Sequence, residues 1–180
     1  MQNSKGTKSK IFCIGLNKTG TTSLHAALKI LDFSSVHYRT ETINIKTLIR
    51  ENNASGSYLL KGIEHFDAYS DWNDADTNHL FKQLDVLHPG SKFIFTTREL
   101  EGWLRSREKH VLSFPELKTL RLNNPGNDWY WINKSKWRKE YFKHRLDVFK
   151  FFENRKQDLL VFDVVKGDGW GELCAFLEVD

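Results

Sequence analysis

Cysteine, proline and methionine are scarce in this sequence, at two, three and one among 180 residues. Two cysteines are too few for a disulfide scaffold, and no CxxC or Cys/His spacing sets up a metal site. Cys13, inside an apolar run, and Cys174, in an amphipathic one, read as buried thiols. No apolar run approaches the roughly 18–20 residues of a helical membrane span, so no membrane partner is expected. The basic, polar start MQNSKGTKSK is followed by only six apolar residues, 11–16 (IFCIGL), short of a secretory leader's core. A cytoplasmic protein is the expectation, and the sequons at Asn17, Asn53 and Asn133 then carry no weight. Charge of one sign is missing too: the formal net charge is +4, and acidic residues are interspersed with basic ones. On charge alone, a small anionic ligand fits as well as nucleic acid.

What is present is core material. The chain is 39% hydrophobic and carries thirteen Phe, six Trp and five Tyr, enough for one globular domain and too little for two. Residues 1–10 read as a flexible tail and 11–180 as a single domain without internal repeats. The run 11–16 has the form of a buried strand and stops at the polar, glycine-containing 17–20 (NKTG). In 21–31, Leu24, Ala27, Leu28 and Leu31 share one helical face. Residues 74–87 repeat the helical pattern, end at His88-Pro89-Gly90 and lead into the strand-like 92–97 (KFIFTT). A helix is expected from about Leu100 and another over 136–153, then a strand over 158–164 (DLLVFDV) and a closing helix over 170–177. Strands that are apolar throughout and alternate with helices indicate an α/β fold: three layers, a mainly parallel sheet covered on both faces. Between 108 and 131 the periodicity is lost around Pro115, Pro125 and Gly126, which suggests a lid or acceptor-binding insertion.

In an open α/β sheet the ligand sits beyond the carboxyl ends of the strands, and the first strand runs into GLNKTGTTS, residues 15–23. Backbone N–H groups turning around Gly20, the N-terminal dipole of the next helix and the hydroxyls of Thr19, Thr21, Thr22 and Ser23 all offer donors to an anion. Lys18 adds a full charge. A Thr cap would account for one hydroxyl, not four beside a lysine. The nucleoside-triphosphate loop GxxxxGK[ST] places its lysine after the second glycine. Here Gly15 and Gly20 have that spacing, but Thr21 follows Gly20 and the lysine precedes it as Lys18.

The segment KTGTTSL resembles the loop of the PAPS-dependent sulfotransferases, which reads Lys-[Ser/Thr]-Gly-Thr-Thr. The resemblance implies a P-loop-type nucleotide-binding fold in which Lys18, Thr19, Gly20, Thr21, Thr22 and Ser23 cradle the 5′-phosphosulfate of PAPS. It also implies a 3′-phosphate site made by a strand-end arginine and a serine eight positions on, and Arg98 and Ser106 have that spacing. A planar guanidinium suits the role because it grips phosphate oxygens with two hydrogen bonds. The likeness extends over most of 11–179, with SDWN, the HPGSKFIFTTRELEGWLRS block and GDGWGELCAFL in the expected order. Lys166-Gly167 matches a nucleotide-touching loop of some relatives only over two residues.

Sulfuryl transfer, like phosphoryl transfer, asks the protein for alignment and charge stabilisation rather than covalent work. The resemblance makes Lys18 the electrophile at the leaving oxygen, and no metal is required. An acceptor hydroxyl or amine needs a base. Asp71, at the end of the strand before the arginine-ending one, holds the matching position, with His37, His65 and Glu64 as alternatives. Asp71 could instead cap the following helix, a role also open to Asp74 and Thr77. A small-molecule or glycan acceptor, and no nucleic acid, is the expected partnership, with Trp129, Tyr130 and Trp131 available for stacking. Two rivals remain: a nucleotide kinase or other NTPase, with Asp163 closing LLVFD as a magnesium ligand, and a non-catalytic nucleotide-binding module.

Overall fold

A computed structural model describes residues 9–74, 76–113 and 131–180. The described elements in chain order are β1 (Ile11–Cys13), α1 (Thr21–Ile30), β2 (Ser35–His37), α2 (Ile45–Ala54), β3 (Ala68–Ser70), a 3-10 turn (Asn78–Leu80), α3 (Phe81–Leu87), β4 (Lys92–Thr96), α4 (Leu100–Leu112), α5 (Lys134–Phe151), β5 (Leu159–Phe162) and α6 (Trp170–Leu177). A second 3-10 turn, Lys156–Asp158, leads into β5. The five strands form one sheet in the order β2-β3-β1-β4-β5, and every pairing is parallel.

Residue alternation along the strands builds the layers. Phe12, Ile14, Tyr69, Phe93 and Phe95 point to one face, where Ile45 and Ile49 of α2, Phe81 and Leu84 of α3 and Val148 of α5 cover them. Ile11, Cys13, Ala68 and Ile94 point to the other, under Leu24 and Leu28 of α1 and Leu173 of α6. Each such buried side chain is worth roughly 1.5–3 kcal/mol relative to exposure, so both faces hold the sheet. A third cluster, Leu16, Trp103, Leu104, Val111 and Trp137, packs α4 against α5 beside the exit of β1. The three-layer α/β architecture expected from the apolar runs is therefore present.

Several boundaries differ from the sequence reading. The helix expected over 74–87 starts later, because Asp74 Oδ1 accepts the N–H groups of Asp76 and Thr77 at 3.0 and 3.1 Å and holds a turn first. The helix from Leu100 runs past Glu108 to Leu112. Its periodicity was hidden because Arg107 occupies the buried stripe between Leu104 and Val111. The segment 114–130, with Trp129 and Tyr130 and most of the expected lid, lies outside the described residues. β5 is not buried on both sides: it is an edge strand, with Val161 39% exposed. Cys13 is buried, whereas Cys174 is only half-buried. Lys10, which the sequence grouped with the tail, donates from Nζ to the carbonyls of Glu64 and Phe66 at 2.7 and 2.5 Å. Among the described residues no helix is long and apolar enough to cross a membrane.

Candidate functional site

From the central strand β1 the chain crosses to β2 on one side, and from β3 it crosses to β4 on the other, so the order reverses around β1. The crevice at such a reversal is where open α/β sheets bind ligands. Residues 15–20, Asp71 and Arg98 all lie just beyond the carboxyl ends of β1, β3 and β4.

The loop leaves β1 against β4. A Cβ on Gly15 would lie 2.0 Å from Thr96 Oγ1 and 2.2 Å from the Thr96 carbonyl oxygen, so no side chain fits. Lys18 and Gly20 then take left-handed φ values of 64° and 103°, reversing the chain into α1. Thr19 is buried; its hydroxyl donates to the Leu16 carbonyl and lies 2.8 Å from Thr96 Oγ1. Of the four hydroxyls, Thr19's thus closes the loop internally rather than facing the crevice. α1 begins with no side-chain cap and no acidic residue in its first turn. Asn44, Glu99 and Asn133 cap α2, α4 and α5 with their own side chains, whereas α3 and α6, like α1, have no side-chain cap. Orphan N–H groups at an uncapped helix start are suited to an external anion.

Thr21 and Thr22 turn toward the end of β2, with Oγ1 atoms 3.2 and 3.5 Å from His37 Nε2. Ser23 is exposed beside them. Asp71 Oδ2 lies 3.8 Å from the same nitrogen, and Asp71 itself holds φ 57°. Burial pushes the His37 pKa down; Asp71 pulls it back up and Lys18 pushes it down again. His110, near the end of α4, is likewise lowered by burial first, with Lys18 acting in the same direction and Asp71 opposing. Lys18, His37, Asp71 and His110 therefore share one electrostatic environment.

Of the alternative bases, Glu64 and His65 are at the opposite end of the sheet, in the turn before β3. The Glu64 carboxylate accepts the Gly62 N–H at 2.8 Å, and the His65 ring packs on Phe66. The capping role considered for Asp71 is not taken up: the 3-10 turn and α3 start without a side-chain cap, and Asp74 holds the turn ahead of them. Arg98 is half-buried, and Tyr141 donates its hydroxyl to the Arg98 carbonyl at 2.7 Å. Glu99 and Glu101, the obvious surface partners for its guanidinium, are engaged elsewhere. Glu99 accepts the N–H groups of Glu101 and Gly102, and Glu101 pairs with Arg138 at 2.6 Å. A Cβ on Gly102 would lie 3.3 Å from Arg98 Nε, so the arginine side chain runs along the first turn of α4. Gly102, half-buried Ser106 and His110 follow at intervals of four on one helical face. That spacing was visible in the sequence and would have singled out His110, which the sequence reading passed over.

Asp163 is spent on local structure. Its Oδ1 accepts the N–H groups of Val165 and Lys166 at 3.1 and 3.2 Å, while its own N–H donates to Asp168 Oδ2. Lys166 and Gly167 in that turn are exposed. Among the described residues no group of three or more His, Cys, Asp or Glu side chains could hold a metal ion.

The model of the sulfotransferase domain family matches residues 10–180. The chain is also similar to Ava biosynthesis cluster protein M of Aspergillus versicolor, at 24% identity over 197 aligned residues, covering 94% of this chain and 76% of that protein.

Proposed function

Since the chain belongs to the sulfotransferase domain family, we propose that it transfers a sulfuryl group from PAPS to a hydroxyl or amine of a small-molecule or glycan acceptor. The observation that carries this reading is the start of α1: a helix N-terminus without a cap, reached through left-handed turns at Lys18 and Gly20, at the carboxyl end of the central strand. The residues present fit the donor: an anion has open N–H groups to bind, and the Arg98 guanidinium is not consumed by Glu99 or Glu101.

PAPS supplies the sulfuryl group and leaves as adenosine 3′,5′-bisphosphate. The first-turn N–H groups of α1, with the hydroxyls of Thr21, Thr22 and Ser23, bind the 5′-phosphate end. Lys18 offsets negative charge developing on the leaving oxygen. Arg98 and Ser106 bind the 3′-phosphate. Asp71 takes the proton from the acceptor as its oxygen or nitrogen bonds to sulfur. Thr19 contributes through its backbone, its hydroxyl being engaged with Leu16 and Thr96.

A thermal-shift titration with adenosine 3′,5′-bisphosphate, AMP, ADP and magnesium-ATP tests the donor site. Bisphosphate at 100 times its dissociation constant should stabilise the fold by roughly 2.7 kcal/mol, a rise of several degrees. Arg98→Ala should reduce that rise to the one AMP produces. Lys18→Ala should lower turnover on the order of 10²–10³-fold, as loss of one charge-stabilising group does, with a smaller effect on bisphosphate affinity. A shift with magnesium-ATP and none with the bisphosphate would overturn the proposal in favour of an NTPase.

A further inference from the structure

We propose that His37 is a positioning residue that ties the donor loop to the acceptor-side base, holding the Thr21 and Thr22 hydroxyls and the Asp71 carboxylate in one register through a single nitrogen. This rests on the sulfotransferase reading above, in which Asp71 receives the acceptor's proton. Nε2 of His37 lies 3.2 Å from Thr21 Oγ1, 3.5 Å from Thr22 Oγ1 and 3.8 Å from Asp71 Oδ2. Those partners come from two further elements, the first turn of α1 and the turn after β3, which no backbone ladder joins to each other at this point. The sheet aligns them: His37 is in register with Ser70, the residue before Asp71. Asp71 then takes a left-handed conformation, sparsely populated for a residue with a side chain and found where the surroundings impose it.

Burial outweighs the surrounding charges and holds the His37 pKa below its ordinary value. Burial and Lys18 on the loop disfavour the imidazolium, Asp71 favours it, and the net direction is downward. The His25 ring of α1 sits 5.5 Å away with its Nδ1 engaged by Ser35 Oγ at 2.8 Å, and on His110 of α4 burial and then Lys18 act downward while Asp71 acts upward. In a neutral ring protonated at Nε2, that N–H is donated to Thr21 Oγ1, with Thr22 Oγ1 at the edge of hydrogen-bond reach and Asp71 Oδ2 beside them at 3.8 Å. The hydroxyl protons of Thr21 and Thr22 are then left to point away from the ring, toward an incoming phosphate. A nitrogen committed in this way is not free to accept the acceptor's proton itself, which separates His37 from Asp71 in role.

The test follows the His37 ring by NMR in the full chain, assigned with His37→Gln, together with calorimetric binding of adenosine 3′,5′-bisphosphate. The His37 pKa should fall in Asp71→Asn, where the raising partner is lost, and should rise when the bisphosphate anion binds beside Thr21 and Thr22. His37→Gln, whose amide still donates, should hold bisphosphate affinity within roughly threefold, whereas His37→Ala should weaken it about tenfold, the range expected for one lost hydrogen-bond anchor. A His37 pKa unmoved by Asp71→Asn and by saturating bisphosphate overturns the proposal alone, as do equal losses in the Gln and Ala variants. If the unaltered protein binds no bisphosphate, the sulfotransferase reading falls, and the positioning role falls with it.

Discussion

A methyl group at Gly15 would sit 2.0 Å from Thr96 Oγ1 and 2.8 Å from the Thr96 backbone nitrogen, inside the contact between β1 and β4. Neither atom is the far end of a flexible side chain, so the strands would have to part. The Thr19–Thr96 hydroxyl pair that closes the loop would open with them. Gly15→Ala is expected to destabilise the fold by about 1–3 kcal/mol or more, the range for overpacking in a well-filled core, and to weaken bisphosphate binding in parallel. Urea unfolding beside a bisphosphate titration checks both, and an unchanged midpoint would show that β4 yields freely. The sequence reading took Gly15 from its spacing to Gly20, as half of a phosphate-loop signature, and that signature was legible. The close approach was not, because it depends on which strand lies beside β1. For the same reason Thr19 looked equal to Thr21, Thr22 and Ser23 until packing separated them. Cys13 shows the reverse case: its apolar context correctly implied a buried thiol, and burial pushes its pKa up to about 11.

At the scale of elements, α4 and α5 are joined by an ion pair that local pattern could not reveal. Arg107 Nη1 donates to Glu140 Oε2 at 2.7 Å, and the guanidinium lies between the Trp103 and Trp137 rings, 5.3 and 4.5 Å from their centroids. Arg107 is 6% exposed, so removing Glu140 takes an ion-pair partner from a buried guanidinium. Glu140→Ala should therefore cost on the order of 3 kcal/mol, which for a domain of this length lowers the melting temperature by roughly 2–4 °C per kcal/mol. A loss no larger than for the exposed pair partner Glu101→Ala would mean that water reaches Arg107. This charged residue in a buried stripe hid the last turn of α4 from periodicity. β2 escaped for a different reason: in Ser35–His37 only Val36 is buried, so no apolar run marks it. α2 did carry a signal that went unread, with Ile45, Leu48, Ile49 and Asn52 along one face behind an Asn44 cap. Long apolar runs revealed β1 and β4 and the helices beside them; strand order and the meeting of His37 with Thr21, Thr22 and Asp71 came only from the topology.

Across the whole molecule, five histidines have pKa values lowered chiefly by burial: His25, His37, His88, His110 and His144. They are distributed over both ends of the sheet. His37 lies beside Thr21, Thr22 and Asp71, His110 is near the end of α4, His88 meets the Tyr58 hydroxyl at 2.8 Å, and His144 ties α5 to the exit of β1 through Ile14 O at 2.6 Å. The common direction fixes the sign of the molecule's acid response. In the unfolded chain each imidazole protonates near its ordinary value of about 6.5, whereas the folded chain resists that proton until a lower pH. Between those values the unfolded state binds more protons, so stability is fully present above about pH 6.5 and declines as pH falls through the window below it. Each fully withheld proton contributes a slope of up to roughly 1.4 kcal/mol per pH unit. His144, 4% exposed, should come nearest to that limit, and the half-buried four should fall short of it through solvent screening. Unfolding free energies from urea titrations at several pH values from 7.5 down to 5.5 should fall progressively below 6.5. Calorimetry in buffers of different ionisation enthalpy should register net proton uptake on unfolding near pH 6. In His144→Gln the slope should flatten, even though the variant starts less stable for loss of the Ile14 contact. A slope identical in that variant would remove His144 from the acid response, and a flat profile in the unaltered protein would show that burial does not hold these rings neutral.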